Sequence, residues 1–409
     1  MVRTLPRRTV PSLAIPTDDR ATLTYKLKIV TPMVGGSAIA GMPTTEIRPT
    51  EIMGNLRFWW RAVNVGHFSL EEMIRQEDAI FGSAVHSGNC QIRLDHTNPG
   101  KQISDPRDDA RLAYALWPLR DANSQVTLGT EFILTLRFKP GLDNVIRPAM
   151  EAFIAYGGLG GRTRRGCGSL QLKDFTMEQP GKQKQSHSFL GPTIKPIPLP
   201  RSEGSAQIPG MTGLPRCVYI LNSVMASPVS AWVESLRVYQ EFRQGPGVGR
   251  VPTRGSVPGR SYYPEADTIR KITKYPDSHP PTHPVNGFPR ADLGLPIVMQ
   301  FGQRDEPEDV TIQVASEQKS RFASPIITKA VQQDGGFVPM IAFLESPHVW
   351  TEKIELKSNE IPPEGEEVYD DKVNLSTNDL LKIEPLHGCP IREAFEKFIK
   401  TKGWQQVQS

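Results

Sequence analysis

Residues 22–30 (TLTYKLKIV) alternate polar and apolar positions over much of their length, and this two-residue period predicts a strand. After a Gly/Pro-rich stretch the period changes. Ile52, Leu56, Trp59, Trp60 and Val63 fall within about 100° of arc at 3.6 residues per turn, which predicts a helix over about 50–64. Arg57 and Arg61 lie four apart on another face of it. Ser69 and Glu72 have the spacing of a capping box, so a second, short helix is expected to start there. Residues 89–94, 111–117 and 130–138 read as strands, with EFILTLRF the clearest. Residues 142–156 read as a helix with Val145, Ile146, Met150 and Phe153 inward, followed by a run of glycines and a strand near 168–173. Strand, helix, strands, helix, strand is the ferredoxin-like order with insertions.

The pattern then lapses. Residues 177–213 are polar and rich in Pro, Gly and Ser, as a linker would be. Regular structure resumes with a strand over 217–223 and a helix near 228–243. Gly/Pro/Arg-rich residues 243–264 and proline-rich residues 276–292 interrupt it, strands are expected at 310–315 and 338–344, and a helix over about 390–401 closes the chain. The expectation is an α+β chain of two ferredoxin-like domains with long loop insertions. Their bounds are 1–176 and 216–409, joined by a linker or insertion over 177–215.

Composition narrows the picture. A chain of 409 residues suits two or three domains, and 38% hydrophobic residues suffice for real cores. The net charge is only +4, but residues 352–409 carry 12 acidic against 8 basic side chains, so the residues before them hold +8. Much of that charge is clustered arginine, either a phosphate-binding footprint or solvated surface. The four cysteines are far apart with no Cys-x-x-Cys pair, which fits neither a zinc ribbon nor a disulfide framework and suits reduced thiols. No long apolar run marks a secretory signal or a membrane span, so a cytoplasmic protein is expected.

Three segments carry candidate chemistry. The first, GGLGGRTRRGCGSL (157–170), holds six glycines with Arg162, Arg164 and Arg165. Glycine permits positive φ and close approach to a ligand backbone, and arginine offers several donors to phosphate. The segment therefore suits a sugar-phosphate chain, although a glycine-rich connection with incidental arginines has the same composition. It is no nucleotide P-loop, lacking a Gly-Lys-Ser/Thr ending and lying after a helix instead of opening one. In the second segment, 46–63, the tryptophans share the apolar face and read as core. Arg57 and Arg61 lie off that face and reach either phosphate or a nearby glutamate. The third, 242–274, sets Arg243, Arg250, Arg254, Arg260, Arg270, Lys271 and Lys274 against only Glu265 and Asp267. With Tyr262 and Tyr263 among them, it suits single-stranded RNA, phosphates on arginine and bases on tyrosine. Whether Tyr262 stacks a base or packs inward stays open.

Taken together, TPMVGG (31–36), IRPTEIMGNLRFWWRA (47–62), AIFGS (79–83), the glycine-rich segment, GRSYYPEADTIR (259–270), GLPIVMQF (294–301) and RFASPIITK (321–329) resemble the first RAMP subunit family of type III-B CRISPR (Cmr) effector complexes, in the RAMP superfamily. The resemblance implies two RAMP-type, RRM-like domains in a non-catalytic subunit without cofactor. It implies a place at the crRNA 3′ end, with crRNA, target single-stranded RNA and other Cmr-type RAMP and small subunits as partners. Carried onto the matching motifs, it implicates Arg48, Arg57, Arg61, Gly158, Gly160, Arg162, Arg164, Arg165, Arg250, Arg254 and Arg260. Tyr262 joins them as a stacking candidate. The alternative is a RAMP-type metal-independent endoribonuclease. That chemistry wants a histidine near the 2′-OH, yet none of the eight lies inside a Gly/Arg motif, and His67 is the nearest outsider. His279 and His283 have ligand-like spacing without a partner set, and Asp105, Asp108 and Asp109 read as a solvated turn.

Affinity for RNA is expected to fall with salt at a log–log slope of roughly −0.7 per phosphate neutralised. Replacing Arg164 and Arg165 together by alanine is expected to weaken binding on all sequences alike, since phosphate contacts carry no sequence information. A salt titration of both proteins by fluorescence anisotropy checks this.

Overall fold

The computed structural model describes residues 19–35, 46–103, 110–116, 126–181, 184–187, 208, 210–252, 259–273, 280–301, 306–316, 321–358, 367–368 and 372–407. The first half runs β1 (Ala21–Ile29), β2 (Met33–Val34), α1 (Pro49–Asn64), α2 (Leu70–Phe81), β3 (Cys90–Asn98), β4 (Lys101–Gln102), α3 (Ala110–Leu116), β5 (Val126–Leu128), β6 (Glu131–Phe138), α4 (Asp143–Tyr156), β7 (Leu170–Glu178) and β8 (Gln185–His187). The second runs β9 (Pro215–Ile220), α5 (Pro228–Gln244), α6 (Glu265–Ile272), β10 (Ile297–Met299), β11 (Val310–Val314), β12 (Ile326–Gln333), β13 (Gly336–Leu344), β14 (Ile354–Lys357), β15 (Glu367–Val368), α7 (Thr377–Leu381), α8 (Ile391–Thr401) and β16 (Gln405–Gln406).

Two antiparallel sheets dominate, ordered β3-β6-β1-β7-β8 and β12-β13-β9-β16. With each half's main strands numbered in chain order, both sheets read 2-3-1-4, and helices join strands one to two and three to four. This is the ferredoxin-like arrangement, present in each half as the sequence pattern anticipates. The smaller sheets β2-β5-β4 and β10-β11-β14-β15 are insertions.

Alternation places the first core. Ala21, Leu23, Tyr25, Leu27 and Ile29 of β1 are all buried, as are Ile52, Leu56, Trp59 and Trp60 on the predicted stripe of α1. Ser69 caps α2 by accepting from the Glu72 N–H at 3.2 Å, the half of the capping box that the spacing foretells. Some elements differ from expectation: β8 falls within the stretch read as a linker, β12 is a strand that the pattern does not mark, and residues 111–116, read as part of a strand, belong to α3. Leu112, Ala115 and Leu116 are buried there at helical spacing, beside Trp232 and Leu236 of α5, and that period outweighs a short apolar run.

The second sheet is buried on both sides. Cys217, Tyr219, Ile326, Ile341 and Phe343 pack with α5 and α8, whereas Val218, Ile327, Val331, Met340, Ala342 and Leu344 join the core of the first half. Strands covered on both faces read as continuous apolar runs, as MIAFL in β13 does. Lys329 lies in the interior-facing register with Ile327 and Val331 and is 1% exposed. Its ammonium donates to the carbonyls of Ile154 and Gly157, each at 2.7 Å. It thereby caps the buried C-terminus of α4, whose last carbonyls have no partner within the helix.

Burial pushes the Lys329 pKa down to about 7, against the pull of the two carbonyls and the negative helix end. Between about pH 7 and the ordinary lysine range near 10, the unfolded chain therefore holds a proton that the folded chain has released. Stability is expected to rise with pH across that window, and Lys329→Met is expected to flatten this rise while lowering Tm at neutral pH. Thermal unfolding of both proteins from pH 6.5 to 9.5 measures the difference.

Candidate nucleic-acid interface

The glycine-rich segment is a folded loop. Gly157 closes α4 by donating to Phe153, Leu159 donates to Gly168, and Gly168 donates to Pro32, so the segment doubles back on itself before β7. Gly160 has φ +80° and donates its N–H to Glu51 Oε1 at 2.6 Å; a Cβ there would strike the Val34 carbonyl. Gly166, at φ +77°, sits against the second half, where a Cβ would strike the Thr328 carbonyl and the Trp232 indole. Gly158 is held in an antiparallel bridge to Ser169. Arg162 takes left-handed backbone at φ 60° and opens a single 3-10 turn, Thr163–Arg165.

From that turn the arginines diverge. Arg165 reaches into the second half: Nη1 donates to Ser324 Oγ at 3.1 Å and to the Ile326 carbonyl at 3.2 Å, and Nη2 donates to the Tyr239 hydroxyl at 2.8 Å. Its own carbonyl accepts from the Trp232 indole N–H at 2.5 Å. Arg164 is half-buried against α1, its guanidinium 5.1 Å from the Phe58 ring centre and 6.0 Å from that of Trp59. Burial, reinforced by the charge of Arg165, pulls its pKa down to about 10. Burial likewise lowers that of Arg162, with Arg165 adding to it. Arg162 Nε and Arg164 Nη1 are buried without a hydrogen-bond partner, and among the described residues no carboxylate pairs with either side chain.

The other candidates sit in different surroundings. Arg57 and Arg61 converge on one carboxylate oxygen, Glu77 Oε1, at 3.0 and 2.6 Å, and Arg57 also donates to the Gly82 carbonyl. Half-buried Arg48 precedes α1, and its carbonyl accepts from the Glu51 and Ile52 N–H groups. Arg250 donates to the Gly259 carbonyl at 3.4 Å, while Arg260 donates to Thr282 and to the Pro280 carbonyl. Tyr262 is half-buried and Tyr263 is buried, its hydroxyl donating to the Phe242 carbonyl at 2.9 Å. Arg254 lies outside the described residues.

Arg260 and Tyr262 line a cavity of about 280 Å³ together with Asp267, Arg270, His283 and Lys382. The acidic residues of the Tyr-Tyr-Pro-Glu segment build its frame. Glu265, fully buried, accepts from the Arg290 N–H at 2.8 Å and lies 3.1 Å from Arg290 Nε. Asp267 accepts from the N–H groups of Thr282 and His283 and from Arg270 Nη1, contacts that together outweigh burial and hold its carboxyl below the usual range.

The histidines divide in the same way. His283 has both nitrogens engaged, Nε2 with the Tyr262 carbonyl at 2.9 Å and Nδ1 accepting from the Val285 N–H at 3.2 Å. His67 is exposed after α1. His348 stacks on Trp350 with ring centres 3.9 Å apart and sets Nδ1 2.8 Å from Asp292 Oδ2, a buried carboxylate that also accepts from Arg392. Among the described residues no three His, Cys, Asp or Glu side chains group as metal ligands. His279, Asp105, Asp108 and Asp109 lie outside those residues.

Sequence reasoning did not single out Lys329, Tyr114, Tyr239 or the Asp292–His348 pair, whose roles arise only from long-range folding. Arg243 was noticed as charge, but not for its place beside Tyr239, 5.6 Å from the ring centre.

Comparison with known proteins agrees with the fold. Residues 26–171 match the family model of the RAMP superfamily. No curated protein matches the chain by sequence. The crystal structure of apo Cmr1 from Pyrococcus furiosus superposes with a TM-score of 0.50 at 15% identity, over 95% of this chain and 99% of that one. A chain of the cryo-EM structure of type III-B Cmr-beta bound to cognate target RNA aligns at TM-score 0.42 and 12% identity, covering 91% of this chain and 100% of its own. Among the described residues no helix is long and apolar enough to cross a membrane.

The anchored and unanchored arginines are separable by experiment. Arg165→Ala is expected to destabilise the chain by about 2 kcal/mol or more, because it strips a half-buried junction of three hydrogen bonds to a charged group. Arg164→Ala, which loses stacking alone, is expected to cost about 1 kcal/mol or less. Urea unfolding of the two variants measures both. The double alanine variant therefore mixes lost binding with lost stability, and Arg162→Ala with Arg164→Ala is the cleaner pair.

Proposed function

We propose that this chain, whose residues 26–171 match the RAMP superfamily, is a non-catalytic RNA-binding subunit of a type III-B CRISPR-Cas ribonucleoprotein effector complex. It acts in the cytoplasm at the crRNA 3′ end, helps to capture complementary target RNA for antiviral defence, and contacts other Cmr-type RAMP and small subunits. Two RAMP domains, 1–176 and 216–409, with a linker or insertion over 177–215, form its body. The observation that carries the reading is the glycine-rich loop, which presents Arg162 and Arg164 with orphaned N–H groups and no carboxylate among the described residues. Half-buried guanidinium groups left without an anion are costly unless a ligand supplies one, and an RNA backbone supplies a row of them. Arg48, Arg57, Arg61, Arg250, Arg260 and Tyr262 are further candidate contacts, as is Arg254, which lies outside the described residues; Arg260 and Tyr262 line the 280 Å³ cavity.

A second reading, the RAMP-type endoribonuclease, is favoured by one observation. The buried Asp292 orients His348 through Nδ1, as a general base requires. Arg392 and the Val349 N–H already occupy Asp292, however, and the arginine loop contributes no histidine.

Crosslinking a 4-thiouridine-labelled guide RNA to the chain, alone and in the assembled complex, distinguishes the two. Attachment within 157–170 or 243–264 near the RNA 3′ end, with the strand intact, is the expected result. Cleavage that survives purification and disappears in His348→Ala would replace the binding subunit with the enzyme.

A further inference from the structure

We infer that the cavity of about 280 Å³ beside α6 holds one nucleotide of a bound single strand, turned out of its stack, with the base against Tyr262 and the phosphate between Arg260 and Lys382, and that it accepts a base of any identity. The inference rests on the RNA-binding reading above. It adds an occupant for the cavity and a contact, Lys382, that no motif marks.

The cavity is braced by its own walls. These come from the segment before α6, from α6, from the segment after it and from the turn that follows α7. Asp267 ties α6 to the segment after it: Oδ2 accepts from the Thr282 and His283 N–H groups at 2.8 and 2.9 Å, and Oδ1 accepts from Arg270 Nη1 at 2.7 Å. Glu306 holds the same guanidinium at 2.7 and 3.0 Å. The Tyr262 backbone is pinned in turn, its N–H donating to the Gly249 carbonyl at 3.0 Å and its carbonyl meeting His283 Nε2 at 2.9 Å. The volume is close to the lower end of ligand pockets, about 300 Å³, so one base fits and a run of strand does not.

The paired tyrosines divide their roles. Tyr263 is buried with its hydroxyl on the Phe242 carbonyl, whereas half-buried Tyr262 lines the cavity. An aromatic ring in such a cleft stacks a base of any identity, because every base offers a π face. Reading the identity takes free donors and acceptors aimed at the base edge. The frame has engaged its own: both Asp267 oxygens, both His283 nitrogens and the Arg270 guanidinium have partners. The cations of the lining are held less firmly. Arg260 donates to neutral groups, Thr282 and the Pro280 carbonyl, with Asp267 Oδ1 4.0 Å from its Nη2. Lys382 pairs with Asp379 at 2.9 Å, but its side chain is 52% exposed, and such a surface pair is readily exchanged for a phosphate. Glu384, exposed on the same turn, works against an anion there.

The full chain and short single-stranded RNAs, rich in each base in turn, test this by fluorescence anisotropy. Tyr262→Ala is expected to weaken binding about tenfold on every one of them at an unchanged salt slope, since stacking releases no counterion. Tyr262→Phe is expected to bind as the wild type does. Lys382→Met is expected to make the log–log slope shallower by roughly 0.7, and Glu384→Gln to tighten binding. A folding defect produces neither the split between affinity and slope nor the gain. Should Tyr262→Ala fail to fold, the wild type answers alone: RNA carrying 5-iodouridine is expected to crosslink to Tyr262 under long-wavelength ultraviolet light. Full affinity in Tyr262→Ala, a loss confined to one base, or crosslinks only outside Tyr262 overturn the pocket and leave the RNA-binding reading standing. A wild type without RNA affinity overturns that reading as well.

Discussion

A helix that ends inside a protein leaves its last carbonyls without water, and the structure turns on how α4 meets that constraint. Its C-terminus points at the second sheet, and the Lys329 ammonium accepts the burial that the carbonyls of Ile154 and Gly157 require. An apolar residue in that register would pack against Ile327 and Val331 but leave both carbonyls orphaned. The buried lysine thus fixes where the first half sits on the second. It also fixes where the chain must turn, because Gly157 is both its ligand and the first residue of the glycine-rich loop.

The loop inherits its shape from this docking. Gly166 lies so near Thr328 and Trp232 that no side chain fits, and the Arg165 guanidinium continues the same contact into Ser324, Ile326 and Tyr239. The glycines therefore serve packing between halves at least as much as approach to a ligand. Function follows from what the packing leaves over. Once Arg165 is committed to the junction, Arg162 and Arg164 stand on a braced scaffold instead of a free tether, which would limit the entropy lost in the RNA contact proposed for them.

Much of the architecture was readable because its periods are clean. The alternation in β1, the stripe on α1 and the Ser69 cap are local facts that a sequence displays directly. Misreading residues 111–117 as a strand shows the limit: seven residues with Leu112, Ala115 and Leu116 apolar fit either period, and only contact with Trp232 and Leu236 decides. The candidate site was legible as composition but not as assignment. Glu77 lies 20 residues beyond Arg57 and 16 beyond Arg61, yet it holds both. Lys329 looks like any strand lysine until the first half covers it. Charge partners chosen by tertiary folding leave no local signature, which is why nothing in the sequence marks Glu265, Asp267 and Asp292 as the struts they prove to be.

That separation of roles refines how an arginine-rich sequence should be weighed. A guanidinium already bonded to a buried carboxylate, as in Arg270 with Glu306 or Arg392 with Asp292, has its field cancelled at short range and costs its partner's desolvation if withdrawn. Such a residue gains little by meeting phosphate. A guanidinium held by rings and carbonyls keeps its full charge, and neighbouring guanidinium groups raise the local potential further. By this measure Arg162, Arg164 and Arg243 rank above Arg57 and Arg61, which share one glutamate between them. The arginines without a carboxylate partner among the described residues thus lie on the glycine-rich loop and at the end of α5, not on α1, the helix with the most conspicuous motif.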